Sequence, residues 1–258
     1  MDIGPSSDWG VALEGVDAVI HVAGYAHRRG ARADVDEMFR VNVAGTRALT
    51  AAARRSGVRT LVFISSIGAV AERSDHDVDE TATCQPETPY GRSKLAAEAA
   101  IEEERGALRV VIFRPPLVYG PGAPGNFARL VMALRRHWPL PFGAVQNRRS
   151  FVFVGNLTDA IVAALDDHRA DGVYHVADRV PVSTPDFIRA VAAALNVTPH
   201  LWRVPERWLL AAGWGVGMSD DVRKLTDSLS IDATRFHRSL AWTPPWDLGT
   251  ALVETFRT

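Results

Sequence analysis

The chain has 258 residues, a formal net charge of −1, and charges of both signs scattered along it. No extended basic run is present, so we expect no nucleic-acid partner. The single cysteine, Cys84, excludes an internal disulfide framework and any multi-cysteine metal site, and we expect no metal. No signal peptide or membrane-length apolar run occurs, which predicts a cytoplasmic protein without a membrane partner.

Apolar strand patterns alternate with helical patterns along the first two-thirds of the chain. Strands are expected at residues 17–23, 60–65, 108–113, 151–154 and 173–176. Helices are expected at residues 34–56, 89–104, 126–137 and 156–167, with another beginning at Ser183-Thr184-Pro185. Residues 115–125 are rich in proline and glycine and are expected to form a loop. The repeated strand–helix units predict an α/β fold with a doubly wound, Rossmann-like parallel sheet.

Two segments carry the residues best suited to catalysis. Ser65 and Ser66 close the apolar strand that starts at Thr60, and open α/β sheets bind ligands at the carboxyl ends of their strands. Tyr90 and Lys94 are four residues apart at a helix start, so they share one helix face. We expect the ammonium, together with a ribose and a cofactor's positive charge, to lower the pKa of Tyr90 towards neutrality. The alternative is a surface tyrosine beside a solvated lysine.

Six segments, taken in their order along the chain, connect Tyr90 and Lys94 to a known family. They are Val19-Ile-His-Val-Ala-Gly24, Val41-Asn-Val-Ala-Gly-Thr46, Val62-Phe-Ile-Ser-Ser66, Tyr90-Gly-Arg-Ser-Lys94, Arg114-Pro-Pro-Leu-Val-Tyr-Gly-Pro-Gly122 and Arg149-Ser-Phe-Val-Phe-Val-Gly-Asn156. In this order they resemble the extended short-chain dehydrogenase/reductases, in the NAD-dependent epimerase/dehydratase family of nucleotide-sugar enzymes. The resemblance covers nearly the whole chain.

The resemblance implies an acid/base role for Tyr90, with Lys94 holding the nicotinamide ribose of NAD or NADP. It implies that the Ser66 hydroxyl bonds the reacting oxygen. Ser65 stays an alternative, because residues 67–71 lack the Val-Tyr-Gly usual in the family. The other residues implied to contact the cofactor are Asp2, Ile3, Ala23, Gly24, Asn42, Ser65 and Pro116. A tight turn at Ala23-Gly24 and a purely structural buried amide at Asn42 are the other interpretations.

The substrate side has candidates of its own. Asn126 follows Pro124-Gly125 at a helix start, where free amides and the helix dipole favour an anion. The resemblance places Arg149 on a nucleotide diphosphate, which a guanidinium fork suits, and Phe142 in the stretch that packs the base. Arg223 or Lys224 is a looser candidate for a second phosphate contact, and a solvated helix face is the favoured interpretation there.

The resemblance also predicts the domain organisation. Residues 1–114 are expected to form part of a dinucleotide-binding domain, to which residues 150–178 return. Residues 115–149 and 179–258 are expected to form a smaller, mostly helical substrate-binding domain. A homodimer is implied through helices 34–56 and 89–104, where alanines allow close packing, although ordinary helix-on-sheet packing also explains some of them. Those alanines are Ala96, Ala97, Ala99 and Ala100.

Five segments resemble bacterial reductases that act on a UDP-linked 4-keto-6-deoxy-N-acetylhexosamine for polysaccharide biosynthesis. They are Arg114-Pro-Pro-Leu-Val-Tyr-Gly120, Gly125-Asn-Phe127, Leu140-Pro-Phe-Gly143, Asn147-Arg-Arg-Ser-Phe151 and Val154-Gly-Asn-Leu157. This predicts NAD(P)-dependent hydride transfer at sugar C4, with a UDP sugar as the substrate. A UDP-sugar 4-epimerase is the alternative with the same catalytic set. The further alternatives are a hydroxysteroid- or flavonoid-type reductase and a non-catalytic binding protein.

One expected element of the family is missing from the sequence. The family opens with a strand and a Gly-x-x-Gly-x-x-Gly turn, and Asp2-Ile3 already resembles the end of its third strand. We therefore expect that about two βα units, on the order of 55 residues, are absent. The expected consequences are an exposed apolar edge at residues 18–22 and impaired dinucleotide binding. The favoured explanation is a wrongly placed start, with the glycine turn encoded upstream of Met1. The alternative is a genuine remnant of a family member.

Overall fold

The computed structural model describes residues 3–25, 32–215 and 219–257, so the expectation for Asp2 lies outside the described residues. The strands are β1 (Ala18–His21), β2 (Thr60–Ile64), β3 (Arg109–Arg114), β4 (Leu117–Tyr119), β5 (Phe151–Phe153) and β6 (Gly172–His175). Strands β1, β2, β3 and β6 form one parallel sheet in the order β1-β2-β3-β6. Strands β4 and β5 pair separately, also in parallel. The predicted parallel α/β fold is confirmed.

The helices follow the strands in the expected alternation. They are α1 (Arg32–Phe39), α2 (Thr46–Arg55), α3 (Pro89–Glu104), α4 (Asn126–Arg135), α5 (Val154–Asp166), α6 (Thr184–Ala194), α7 (Glu206–Gly215), α8 (Ser219–Thr226), α9 (Thr234–Leu240) and α10 (Leu248–Phe256). A π-helical segment, Arg40–Gly45, joins α1 to α2. Within the described residues, no helix has the length and apolarity needed to cross a membrane.

Both faces of the main sheet are covered, as the continuous apolar strands predict. Successive residues of a strand point to opposite faces. Leu61 and Phe63 pack on one side in a cluster that includes Leu49 of α2 and Ala97 of α3. Val62 packs on the other side in a cluster that draws on α5 and α9. Because Ala97 is fully buried within the chain, the helix-on-sheet interpretation holds there, and the homodimer stays a prediction.

The sheet margins show one departure from the expected elements and one agreement with them. The expected loop at residues 115–125 contains β4, because these three residues pair with β5 across a long sequence separation. Among the described residues, β1 forms the edge of the main sheet, where Ile20 and Val22 are 45% and 65% exposed. This agrees with the expected apolar edge.

We expect acid to destabilise the fold through two buried histidines, His21 in β1 and His175 in β6. Burial lowers the pKa of each to about 4. In the unfolded chain histidine binds its proton near pH 6.5. As the pH falls below about 6.5, the unfolded state is therefore protonated first. The free energy of unfolding should drop by about 1.4 kcal/mol per pH unit for each histidine, until the pH reaches about 4.

Urea unfolding between pH 7 and pH 5 measures this slope. It should become shallower in His175→Asn and stay unchanged in the control His76→Asn, because His76 is exposed. A slope in His175→Asn equal to that of the unmodified chain would contradict the assignment.

Candidate active site

A cavity of about 730 Å³ opens at the carboxyl ends of β2 and β3. Loops and helices from distant parts of the chain meet there, as expected for an open parallel sheet. The predicted site residues that line this cavity are Gly24, Ser65, Ser66, Tyr90, Lys94, Pro116, Asn126, Phe142 and Arg149. The fold therefore places the expected catalytic pair and the expected substrate contacts in one space.

The start of α3 positions Tyr90 and Lys94. The Thr88 side chain caps this helix by accepting a hydrogen bond from Gly91 N at 3.1 Å, and Pro89 occupies the first turn. Lys94 is 3% exposed, and its Nζ donates to the Ile64 carbonyl at 2.8 Å. Burial lowers the pKa of this ammonium to about 8. Lys94 is thus anchored to the end of β2.

The pKa of Tyr90 is shifted in the unliganded chain. Burial and the carboxylate of Glu72 raise the pKa of Tyr90 above its ordinary value. In the unliganded chain, Lys94 Nζ donates to the Ile64 carbonyl and lies 4.6 Å from the centre of the Phe63 ring. The expected lowering of the pKa of Tyr90 required a ribose and the positive charge of a cofactor beside Lys94, so it stays a prediction for the liganded site.

The two adjacent serines have different surroundings. The Ser65 hydroxyl donates to the Glu98 carboxylate, which also forms a buried ion pair with Arg114 at 2.5 Å. The Ser66 hydroxyl instead accepts a hydrogen bond from Gly68 N at 3.1 Å and caps the short 3-10 helix Ile67–Ala69. Ser65 is committed to a buried network, so the arrangement favours Ser66 as the hydroxyl that can meet a ligand.

Close backbone packing holds the loop after Ser66 against the start of α3, which carries Tyr90 and Lys94. A Cβ added at Gly91 would lie only 2.1 Å from the Gly68 carbonyl oxygen, so a side chain there would force the backbones apart. The glycine that follows Tyr90 therefore allows α3 to begin directly against the loop that follows Ser66.

The π-helical segment places Asn42 beneath the loop that follows β1. Asn42 is 3% exposed, and its side chain accepts from Tyr25 N at 2.6 Å and donates to Ser93 Oγ at 3.0 Å. A Cβ at Gly24 would lie 3.2 Å from Lys94 Nζ and 3.3 Å from Asn42 Oδ1. This small-residue cradle beside a buried ammonium suits a ribose hydroxyl, as the nicotinamide half of a dinucleotide requires.

Two of the other predicted cofactor residues lie outside the cavity lining. Ile3 packs against Gly45, where a Cβ would come within 2.9 Å of Ile3 Cγ2. Ala23 is half-buried, directly before Gly24. Their assignment to the cofactor stays a prediction.

The cavity lining also includes the expected cation. Arg149 lines the cavity, and its Nη1 donates to the Asp227 carbonyl at 2.8 Å. Burial lowers the pKa of this guanidinium, and the carboxylates of Asp227 and Glu72 oppose the shift. Asn126 opens α4 on the same cavity, and Phe142 belongs to its apolar wall.

Sequence reasoning missed part of the lining. Lys224, for which a solvated helix face was favoured, is exposed but borders the cavity. Arg129 and Glu72 border it as well. Glu72 follows the 3-10 helix in an irregular segment, and no periodic signal in the sequence marks its position.

A model of the NAD dependent epimerase/dehydratase family matches residues 2–177. Among curated relatives, the UDP-glucose 4-epimerase of Vibrio cholerae is 36% identical over 98% of this chain and 80% of its own length. The N-acetyl-alpha-D-glucosaminyl-diphospho-ditrans,octacis-undecaprenol 4-epimerase of Escherichia coli O157:H7 is 27% identical over 95% of this chain and 78% of its own.

Solved structures share the architecture. The UDP-glucuronic acid 4-epimerase from Bacillus cereus, in complex with UDP-glucuronic acid and NAD, superposes with a TM-score of 0.80 at 21% identity. That match covers 99% of this chain and 78% of the other. At this identity the likeness shows the fold.

Proposed function

The chain belongs to the NAD dependent epimerase/dehydratase family, and on that premise we propose that it transfers a hydride at C4 of a UDP sugar with NAD or NADP. The observation that carries the proposal is the single cavity that joins Ser66, Tyr90 and Lys94 to Arg149. Acid/base groups thus share one space with a cation suited to phosphate, which is the layout that a nucleotide sugar requires.

Proton transfer falls to Tyr90. When the C4 alcohol is oxidised, the proton on its oxygen passes to the Tyr90 oxygen, and it returns when the ketone is reduced. Hydride transfer is the chemistry that NAD or NADP would supply when bound. Lys94 and the Gly24 cradle would hold the cofactor's ribose, and the Ser66 hydroxyl would orient the C4 oxygen. Because burial and Glu72 raise the pKa of Tyr90, the unliganded side chain keeps its proton, which is the form that donates to a ketone oxygen. To accept the proton of an alcohol, Tyr90 must first be deprotonated, and the positive charge of a bound oxidised cofactor would favour that form.

Arg149 and the apolar wall would hold the nucleotide. The guanidinium lies at a partly buried position, where its attraction for a diphosphate is screened less than it would be in open water. Phe142 offers an aromatic face against which a base can pack. A steroid or flavonoid substrate would have no use for a cation at Arg149, so this residue argues against the apolar-substrate alternative.

Hydride transfer at C4 can serve either of two reactions, epimerisation or the reduction of a 4-keto sugar. A 4-epimerase interconverts two UDP sugars with no net use of cofactor, and the two curated relatives named above carry 4-epimerase names. A 4-keto-sugar reductase consumes one reduced cofactor per turnover, and the segments around Arg114 and Arg149 support it. Incubation with UDP-glucose and NAD, followed by chromatography for UDP-galactose, tests the first. Oxidation of NADPH by a UDP-4-keto-6-deoxy sugar tests the second.

We expect Arg149→Ala to weaken UDP binding by about 10- to 100-fold, because a charge-assisted contact with phosphate contributes about 1.5–3 kcal/mol. Isothermal titration calorimetry with UDP measures the change. Arg148→Ala is the matched control, because the neighbouring Arg148 is 61% exposed and pairs with Asp77 outside the cavity. Equal losses in the two variants would refute a specific phosphate contact at Arg149.

A further inference from the structure

The cavity contains one charged group that the proposed chemistry does not use. Among the described residues that line it, Glu72 alone carries a carboxylate. Thr88 Oγ1 donates to Glu72 Oε1 at 2.7 Å, so the same hydroxyl that caps α3 also fixes the carboxylate. This anchoring holds one oxygen and gives the group a defined place on the cavity wall.

Glu72 faces the same space as the catalytic hydroxyl. A Cβ added at Gly68 would lie 3.3 Å from Glu72 Oε1 and 3.3 Å from Ser66 Oγ. Both oxygens are therefore in contact distance of one point on the cavity wall. A substrate oxygen held by Ser66 lies within the reach of the Glu72 charge.

Glu72 lines the cavity together with Tyr90 and Arg149. Its carboxylate also raises the pKa of Tyr90 and opposes the lowering of the pKa of Arg149. Ser66 is the residue proposed to hold the C4 oxygen, and Glu72 Oε1 contacts the same point of the cavity wall as Ser66 Oγ. The sugar ring of a bound UDP sugar would therefore border Glu72.

We propose that Glu72 is a specificity-determining residue that admits UDP sugars without a negative charge on the ring and excludes uronic acids. This inference rests on the proposed function. The carboxylate accepts hydrogen bonds from the hydroxyl or amide N–H groups of a neutral sugar. It opposes a second carboxylate in the same partly dehydrated space, where like charges repel more strongly than in water.

Calorimetry with three probes tests the proposal: UDP, UDP-glucose and UDP-glucuronic acid. The unmodified chain should bind UDP-glucose at least about tenfold more tightly than UDP-glucuronic acid. Glu72→Gln should reduce this ratio to within about threefold, mainly by improving the affinity for the uronate. Its affinity for UDP should change by less than about threefold, because UDP lacks the hexose ring that Glu72 is proposed to contact and keeps its contact with Arg149.

Two further variants separate a local effect from a general change in charge. Glu72→Asp keeps the negative charge and should keep the discrimination against the uronate. Glu87→Gln removes a different carboxylate, which lies 15 residues along the chain from Glu72. Glu87 is 52% exposed and pairs with Arg73 outside the cavity. This control should discriminate as the unmodified chain does.

The calorimetry distinguishes a failure of the inference about Glu72 from a failure of the proposed function. If UDP binds but Glu72→Gln leaves the ratio unchanged, or if Glu87→Gln lowers it equally, the role of Glu72 is refuted and the proposed function stands. If the folded chain binds none of the three probes, the proposed function fails, and the inference about Glu72 fails with it.

Discussion

Tyr90→Phe should lower kcat by about 10²–10⁴-fold, the range expected when a general acid/base is removed. Only the phenolic oxygen is lost, and that oxygen exchanges the proton with the sugar oxygen in the proposed reaction. The ring still fills its site at the start of α3. We therefore expect the affinity for the UDP sugar to stay within about threefold, because Arg149 and the apolar wall are intact.

Steady-state rates and calorimetry on the same preparations measure the two quantities. Tyr174→Phe is the matched control: Tyr174 is 3% exposed, and its hydroxyl donates to the Asp171 carbonyl at 3.2 Å, away from the cavity. It loses this bond and the weak one that Asp171 N donates to the same hydroxyl at 3.4 Å, both away from the cavity, and should keep its activity. If Tyr90→Phe retained more than about a tenth of kcat, another group would have to carry the proton.

The sequence determined the local parts of the site well. Helix α3 spans the predicted residues 89–104, because Thr88 and Pro89 are strong local start signals. The strand after Thr60, with Ser65 and Ser66 at its carboxyl end, followed from the apolar pattern and from the rule for ligand sites in parallel sheets. These features depend on residues close in sequence or on general rules for parallel sheets. That Ser66 and Tyr90 share one site followed from the family resemblance.

The features that were missed depend on long-range packing. The network of Ser65, Glu98 and Arg114 joins residues 33 and 16 positions apart, and no motif connects them. The raised pKa of Tyr90 in the unliganded chain was missed because its burial, and its interaction with Glu72, come from the folded loop. Strand β4 was missed because only its pairing with β5 makes it a strand.

The buried ion pair between Glu98 of α3 and Arg114 of β3 should have a large effect on stability. The two residues are 5% and 6% exposed. Glu98 accepts from Arg114 Nε at 3.0 Å and from Nη2 at 2.5 Å, and it also accepts from Ser65. Removing the carboxylate leaves a guanidinium in a dry environment without its anionic partner. We expect Glu98→Ala to lower the free energy of unfolding by about 3–5 kcal/mol.

Urea denaturation measures this change, and two variants show its origin. The double replacement Glu98→Leu with Arg114→Met should recover most of the loss, because it removes both buried charges and keeps the volume. Asp17→Asn breaks the exposed pair with Arg59, whose side chains are 78% and 74% exposed, and should cost less than about 1 kcal/mol. If Glu98→Ala cost no more than Asp17→Asn, the pair would contribute nothing that depends on burial. If the double variant recovered stability but not activity, the pair would serve to hold α3, and with it Tyr90 and Lys94, in register with the end of β3.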